Sequence, residues 1–457
     1  MKRCINRLGV VGLPLSILFY VLAITAPINA MQTDDPLEVL MITGGGWHDY
    51  EAQIEILEEG LTERIGNIVF TVDNEVGEAH DQTISRHDNT DWATQFDVVL
   101  YNHCHTEIED VSYIEQIVNA HVEHQLPAVM LHCAMHSYRA DTDLWFDFVG
   151  ARSHRHEGHQ PFTVESILTD HPIMANFPRT WRTPHGELYE IVELKQGAKP
   201  LARAYGIDTD MYHDVVWTYE YEGVPIFSST LGHHNVTMGH DVNLNLVASG
   251  LLWAAGKLND DGTPQEAYEG DRGFGWISLW DGETLDGWRA SENTESFWVE
   301  DERIVVDGPR SHLFYEGPVT GGDFVNFEFK TDVYTYPEAN SGVFFHTRFQ
   351  DYGWPQYGYE AQVNATHSDP RKTGSLYAVS DVMDDAPHED HEWFHYYIEV
   401  DGRDIVFKVD DEMVMSFAEP KTREGTISLD RGTISLQAHD PNSRIYFRDL
   451  YIRVWPD

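Results

Sequence analysis

The chain changes rhythm near residue 273, and that change limits its possible folds more than any other feature. Before it, short apolar runs alternate with stretches of helical spacing. LEVLMIT (37–43) is almost wholly apolar, as expected of a strand covered on both faces. GGGWHDY follows as a tight glycine turn, and EAQIEILEEGLTERI (51–65) then spaces its apolar residues as a helix does. NIVFTVD and FDVVLYN read as further strands. IEDVSYIEQIVNAHVEH reads as the helix between the second of these and LPAVMLH. This βαβ order predicts an α/β region built on a doubly wound parallel sheet. PFTVESI, ELYEIVEL and DVVWTYEYEGVPIFSST are also strand-like, and LNLVASGLLWAAGKL closes the region as an apolar helix.

From residue 274 the helical period is gone. SFWVEDERIVV, FVNFEFKTDVYTY, SGVFFHTRF, FHYYIEVDGRDIVFKVDDEMVMSF, GTISLQAH and RIYFRDLYIRVW are strand-like runs separated by Gly, Asp, Asn and Pro turns. Regular short strands of this kind predict an all-β sandwich. NDDGTPQEAYEGDRG has the composition of a linker. A length of 457 residues exceeds one ordinary core. The expected organisation is a leader over 1–30, an α/β region over 36–258, a linker over 259–273 and a sandwich over 274–457.

The leader has a basic start (Lys2, Arg3, Arg7), an apolar run from Val10 to Ile24 and a small residue, Ala30, for cleavage. The run is short for a membrane span and polar sequence follows it, so a cleaved export signal is expected. The mature protein is expected in the periplasm or outside the cell, with no membrane attachment. A formal net charge of -46 argues against nucleic-acid partners, which need a basic footprint. Of three cysteines, Cys4 lies in the leader, so no disulfide scaffold is expected. Cys104 and Cys133 can bridge or remain buried thiols; each follows an apolar strand, which favours thiols. Oligomeric state is not legible.

Histidine is abundant, at 25 residues, and many sit after predicted strands: His48, His103 and His105, and His132 and His136. The carboxyl ends of parallel strands line the crevice of an open sheet. His48, His103 and His136 are therefore expected to converge, and they are the candidate ligands for a divalent metal ion. SHRHEGH adds His154, His156 and His159, and LGHH adds His233 and His234. No HExxH spacing is present, and the alternative is a polar sugar-binding edge. Cys133 lies where a nucleophile elbow would sit, but the glycine flanks of that turn are missing.

VLMITGGGWHDY, AVMLHCAMHSY, HPIMANFP, HGELYEI and VVWTYEYEGVPIFSSTLGHH, in this order, resemble the ThuA-like (trehalose utilisation) family. The resemblance runs from Leu37 to about Leu258 and implies a glutamine-amidotransferase-like α/β fold. It links the region to oxidised disaccharides without defining a mechanism. The family has Gly after the His of LHGA, where this chain has Cys133.

In the second half, strand parity puts Glu360, Gln362 and Asn364 on one face. It does the same for Phe344, His346 and Arg348, and for Ser435, Gln437 and His439. Trp354, Tyr357 and Tyr377 lie close by in sequence and can stack on sugar rings. Amides, imidazoles and a guanidinium beside aromatics suit a carbohydrate cleft better than a plain solvated sheet. GWISLWDGETLDGW, FWVEDERIVV, FEFKTDVYTYPEANSGVFFHTR, YGYEAQV, KTGSLYAV and ISLQAHDPNSRIYFRDLYIRV resemble the 3-keto-disaccharide hydrolase family over residue 274 to the C-terminus.

That resemblance implies a concanavalin-like jelly roll and cleavage of glycosides oxidised at C3. A C3 ketone acidifies the C2 proton. A base removes it, the enolate expels the C1 oxygen, and water adds back. On this reading Glu360 or His439 is the base. Lys372, Arg348 or a bound cation holds the ketone oxygen, and His346 protonates the leaving group. Gln362, Gln437, Trp354 and Tyr377 bind substrate, with Glu338 as the reserve carboxylate. The competing expectations are a carbohydrate-binding module attached to a ThuA-like region, and a sugar-capture protein with no catalysis. Retention of Glu360, Lys372, His346 and His439 together is the feature that favours an enzyme.

Overall fold

The computed structural model describes residues 35–270 and 273–455. The expected export leader lies outside them. The N-terminal region holds a nine-stranded sheet. Its first five strands, in spatial order Ile68–Asp73, Leu37–Gly44, Val98–His103, Ala128–Leu131 and Val224–Ser229, run parallel. Residues of Leu37–Gly44 alternate between two cores. Leu37, Val39 and Met41 meet Leu57 and Leu61 of the helix Tyr50–Arg64 and residues of the helix Asp241–Ala254. Leu40 and Ile42 share the opposite core with Ile114, Ile117 and Val118 of the helix Val111–His124. Helices on both faces are what the near-continuous apolar strands require.

The sheet is mixed, which corrects the expectation of a wholly parallel one. Met211–Tyr221, Lys199–Gly206, Thr163–Ser166 and Thr180–Arg182 extend it antiparallel. The cause is local. Met211–Tyr221 and Val224–Ser229 are joined only by Glu222 and Gly223, both with positive φ (48° and 89°). Two residues in this conformation make a hairpin, and a hairpin can join only antiparallel strands. Ala151–His156 and Tyr189–Leu194 form a separate two-stranded sheet beside the crevice.

The C-terminal region is two antiparallel sheets of eight and five strands, a sandwich-like arrangement. The five-stranded sheet runs Trp288–Ala290, Ser311–Tyr315, Thr433–Ala438, Ser341–Thr347, Tyr359–Val363. Val343, Phe345, Ala361, Val363, Leu436 and Ala438 from it face the shared core. The residues between them face outward, on the side that carries the cavity described below.

The segment 259–273 is packed where it is described. Its Tyr268 is buried, its Glu269 bridges Ile65, and a Cβ on Gly270 would meet the Glu63 carbonyl at 2.4 Å. Beyond it, Asp241 accepts the Ser278 amide at 2.8 Å and the Arg64 guanidinium at 2.6 Å. Asn245 donates to the Trp276 carbonyl at 3.2 Å while accepting from Arg64 at 2.7 Å. One apolar core runs through both regions, and Pro36–Asp457 is a single compact unit. Among the described residues no helix is long and apolar enough to cross a membrane.

Candidate functional site

The outer face of the five-stranded sheet carries a cavity of about 410 Å³. Its floor is Phe344, Glu360, Gln362 and Gln437; Asn340, Trp354, Tyr377 and His439 form its walls. Period-2 alternation delivers Glu360 and Gln362 together, and cross-strand pairing sets Phe344 opposite Glu360. Gly342, paired with Gln362, has no side chain to fill the floor. A Cβ there would lie 2.5 Å from Glu360 Oε1, so the carboxyl occupies the space that glycine leaves.

Burial pushes the Glu360 carboxyl up to about 8, reinforced by the nearby Asp369 charge and only partly offset by a 3.1 Å hydrogen bond from Gln437. The Gln362 amide, with its oxygen and nitrogen exchanged, donates to the Ser341 carbonyl and to Glu360 Oε1 at 3.0 and 3.2 Å. Glu360 is thus a weak acid held between two amides. His439 faces the same cavity, and its Nδ1 lies 2.8 Å from Asp440 Oδ2. The Tyr377 hydroxyl donates to Asp369 at 3.0 Å. Despite burial, the Arg371 amide, Tyr377 hydroxyl and Arg371 charge hold Asp369 below the usual carboxylate range. The two neighbouring carboxyls therefore have opposite tendencies: Asp369 stays charged and Glu360 stays neutral longer.

Several expected residues do not line this cavity. His346 has φ +54°, and the ladder shifts register between Phe344 and Thr347. That break in alternation turns the ring inward. There it bonds the Val325 carbonyl at 2.8 Å and accepts from the Asp430 amide at 3.2 Å. Arg348 is drawn to Asp430 at 2.6 Å and lies over Tyr357. The Lys372 ammonium donates to the His367 and Asp369 carbonyls at 2.9 and 3.1 Å, and so pins the loop that holds Asp369. Glu338 is exposed in a turn, its amide capped by Thr366. Sequence reasoning missed Gly342, Asn340 and Asp369. It also missed His312, buried below Trp354, with neither ring nitrogen partnered among the described residues. Only the alternation of SHLFY could have signalled His312.

The second site lies at the carboxyl edge of the parallel strands, in a cavity of about 660 Å³. Gly44, Gly45 and Gly46 all have positive φ (105°, 92°, 68°), and the turn they permit delivers His48 to the crevice. Four atoms converge there: His48 Nε2, His132 Nε2, His233 Nδ1 and Glu187 Oε2. His233 Nδ1 is 3.1 Å from both other nitrogens and 3.2 Å from the carboxylate, which is also 3.2 Å from His132. Burial and the two neighbouring imidazoles lower His48 to about 2, so it is neutral. Burial raises Glu187, but its close contacts with the His132 and His233 rings outweigh it and hold the carboxyl below the usual carboxylate range.

Of the three expected ligands, only His48 belongs to this group. His103 is buried against Tyr138, with its Nε2 3.1 Å from that hydroxyl. His136 lines the cavity but stacks on Tyr189 and bonds Ser153 at 2.9 Å. Following a strand places a histidine at the right edge of the sheet; it does not decide which way the ring turns. His132 reaches inward because its backbone adopts φ +45°, and Glu187 comes from the turn before Tyr189–Leu194. Cys104 and Cys133 form a disulfide at the cavity wall, which corrects the preference for free thiols and leaves neither of them as a thiol for covalent chemistry.

Residues 38–254 match the family model described as trehalose utilisation (ThuA), and residues 275–453 match that of the 3-keto-alpha-glucoside-1,2-lyase-like domain. No curated protein matches the chain. Among solved structures, a ThuA-like protein from Parabacteroides merdae shares 16% identity, covering 52% of this chain and 98% of its own, with TM-score 0.42. A protein provisionally named a glycosyl hydrolase, from Parabacteroides distasonis, shares 20% identity, covering 40% and 94%, with TM-score 0.35. A carbohydrate-binding module, CBM66 of Bacillus subtilis, shares 15% identity, covering 36% and 95%, with TM-score 0.28.

Proposed function

We propose that this chain, a ThuA-like region joined to a 3-keto-disaccharide hydrolase-like region, is an exported carbohydrate-active enzyme that cleaves 3-keto-glycosides in its sandwich cavity. The observation that carries the reading is Glu360: a carboxyl lodged over Gly342 in a sugar-sized cavity, with its pKa raised close to neutrality. A general base works best when its pKa lies near the working pH. Glu360 takes the C2 proton of the ketosugar. The electron pair becomes an enolate on the C3 oxygen, which the amide N–H groups of Asn340 and Gln437 are able to hold.

Collapse of the enolate breaks the C1–O bond, and the departing oxygen takes a proton from His439, oriented by Asp440. Water then adds at C1 while a proton returns to C2. The net change is hydrolysis, without the paired carboxylates of ordinary glycosidases. Lys372, Arg348 and His346 lose the roles that the resemblance implied for them, so enolate stabilisation falls to neutral donors. Trp354, 44% exposed at the rim, is placed to stack on a ring. The disulfide and the expected leader support export to an oxidising compartment.

A non-catalytic binding module is the competing reading. It is favoured by one observation: of Glu360, His346, Lys372 and His439, only Glu360 and His439 share the cavity. Incubation with a 3-keto-glucoside in deuterated water separates the two. Cleavage with deuterium entering C2 supports the enzyme. Binding with neither cleavage nor exchange supports the module, and cleavage without exchange overturns elimination.

A further inference from the structure

The N-terminal crevice contains an arrangement that hydrogen bonding alone does not account for. His132 Nδ1 is 2.7 Å from the Thr230 carbonyl, which can only accept, so Nδ1 carries the proton and neutral Nε2 presents a lone pair. His48 Nδ1 meets the Tyr50 hydroxyl at 2.9 Å. His233 Nδ1 then lies 3.1–3.2 Å from His48 Nε2, His132 Nε2 and Glu187 Oε2, the last two are 3.2 Å apart, and all four atoms lie within 4.8 Å of one another. His233 Nδ1 sits against all three of the others, yet it has at most one proton to give. The Tyr189 hydroxyl also reaches His132 Nε2, at 3.3 Å, but the lone pairs of that nitrogen and of Glu187 Oε2 still face each other at 3.2 Å in a largely buried setting, where their repulsion is poorly screened.

We propose that His48, His132, His233 and Glu187 bind one divalent first-row transition metal ion at this point. A cation among them gives each of these lone pairs a positive partner. Metal–nitrogen and metal–oxygen bonds of zinc-like length place tetrahedral ligands about 3.3 Å apart, close to the observed spacing. The donor set of three imidazoles and one carboxylate suits zinc, iron, cobalt or manganese better than calcium or magnesium. The outer contacts are also those of a built site. The Thr230 carbonyl fixes the His132 tautomer, and the second Glu187 oxygen is held by His156 at 3.1 Å and His159 at 3.0 Å.

His48, His233 and Glu187 face the cavity, so an ion there is accessible to a ligand from it. The cavity wall carries Arg139 and Arg155, and Trp47, 70% exposed, stands at its rim. Cationic donors with an aromatic plate fit an oxygen-rich ligand such as a sugar bearing adjacent hydroxyl and carbonyl oxygens, which would complete the coordination. This site is separate from the sandwich cavity, and the proposal stands whether or not the sandwich is catalytic.

The test uses the full chain, loaded with zinc or cobalt, dialysed and measured by elemental analysis. The expected result is about one ion per chain, removable by chelator, with cobalt giving the visible absorption of a low-symmetry site. Glu187→Ala and His132→Ala should each lower occupancy at least about tenfold, within the range for loss of ligands or their supports. His439→Ala should leave it intact. His48→Ala, on the glycine turn, serves if His132→Ala fails to fold. Three results overturn the proposal: no ion above trace; folded variants of these ligands that keep their metal and cobalt spectrum; or loss of metal in His439→Ala alone, which would place the ion on the His367, His439 and Asp440 group instead.

Discussion

Gly342 and Glu360 occupy one another's space: the carboxylate oxygen of Glu360 lies 2.5 Å from where a Cβ on Gly342 would stand. The backbone at Gly342 lies outside the left-handed region, so the requirement is for room and not for conformation. Gly342→Ala should therefore displace the Glu360 carboxyl without breaking the strand. A displacement of about 1 Å at a reacting group can cost on the order of 10²-fold in rate. The expected result is a loss of that size in kcat, with a small change in Tm, measured by 3-keto-glucoside cleavage and a thermal melt.

Glu360→Gln should lower kcat by about 10²–10⁴-fold while keeping most of the substrate affinity. In the wild type, the limb of the kcat/KM profile that reports ionisation of Glu360 should rise with pH through about 8. Stability runs the other way. The folded carboxyl holds its proton longer than the unfolded one, so wild type loses stability as pH rises from 4.5 to about 8. Melts of wild type and Glu360→Gln across that window should diverge, with the glutamine variant gaining relative to wild type.

His346→Ala tests the corrected placement. The ring is bonded to backbone groups at Val325 and Asp430 and lies outside the cavity. Its removal should cost about 1–3 kcal/mol of stability by orphaning those groups. KM and the rate of C2 exchange should stay within about twofold of wild type, since effects that spare the reacting groups leave transition-state binding unchanged. A large kcat loss at unchanged Tm would restore the role that the family resemblance implied for it.

The Cys104–Cys133 bridge closes a loop with sequence separation 29. Chain-entropy arguments put its contribution at about 3–4 kcal/mol. Reduction, or the Cys104→Ser and Cys133→Ser pair, should lower Tm accordingly, read by calorimetry with and without reductant.

Much of the sandwich site was legible because a strand has a period of two. Glu360 and Gln362 share a face by arithmetic, and so does Gln437 on its own strand. The rule failed at His346, where a left-handed residue breaks the alternation and nothing in the sequence marks the break. At the His-rich edge, strand ends correctly pointed to the crevice, but the ring direction of His103 and His136 depends on packing against Tyr138 and Tyr189. Glu187 was invisible as a ligand because a lone carboxylate in a turn has no periodicity. The parallel half of the first sheet followed from the βαβ rhythm. Its antiparallel half was hidden in a two-residue turn at Glu222 and Gly223.

Asp241 grips Arg64 with one oxygen and the Ser278 amide with the other, so the seam between the regions is built from the same side chains as the helix pair beneath the first sheet. A seam of this kind makes the two cavities thermodynamic neighbours even where no residue connects them. A sugar bound in the sandwich, or an ion bound among the histidines, stabilises the whole unit by mass action. Ligand screening by thermal shift on the full chain would therefore register a hit without revealing which cavity was filled. Parallel screens of Trp354→Ala, which removes the stacking wall of the sandwich cavity, and of Glu187→Ala would locate each hit.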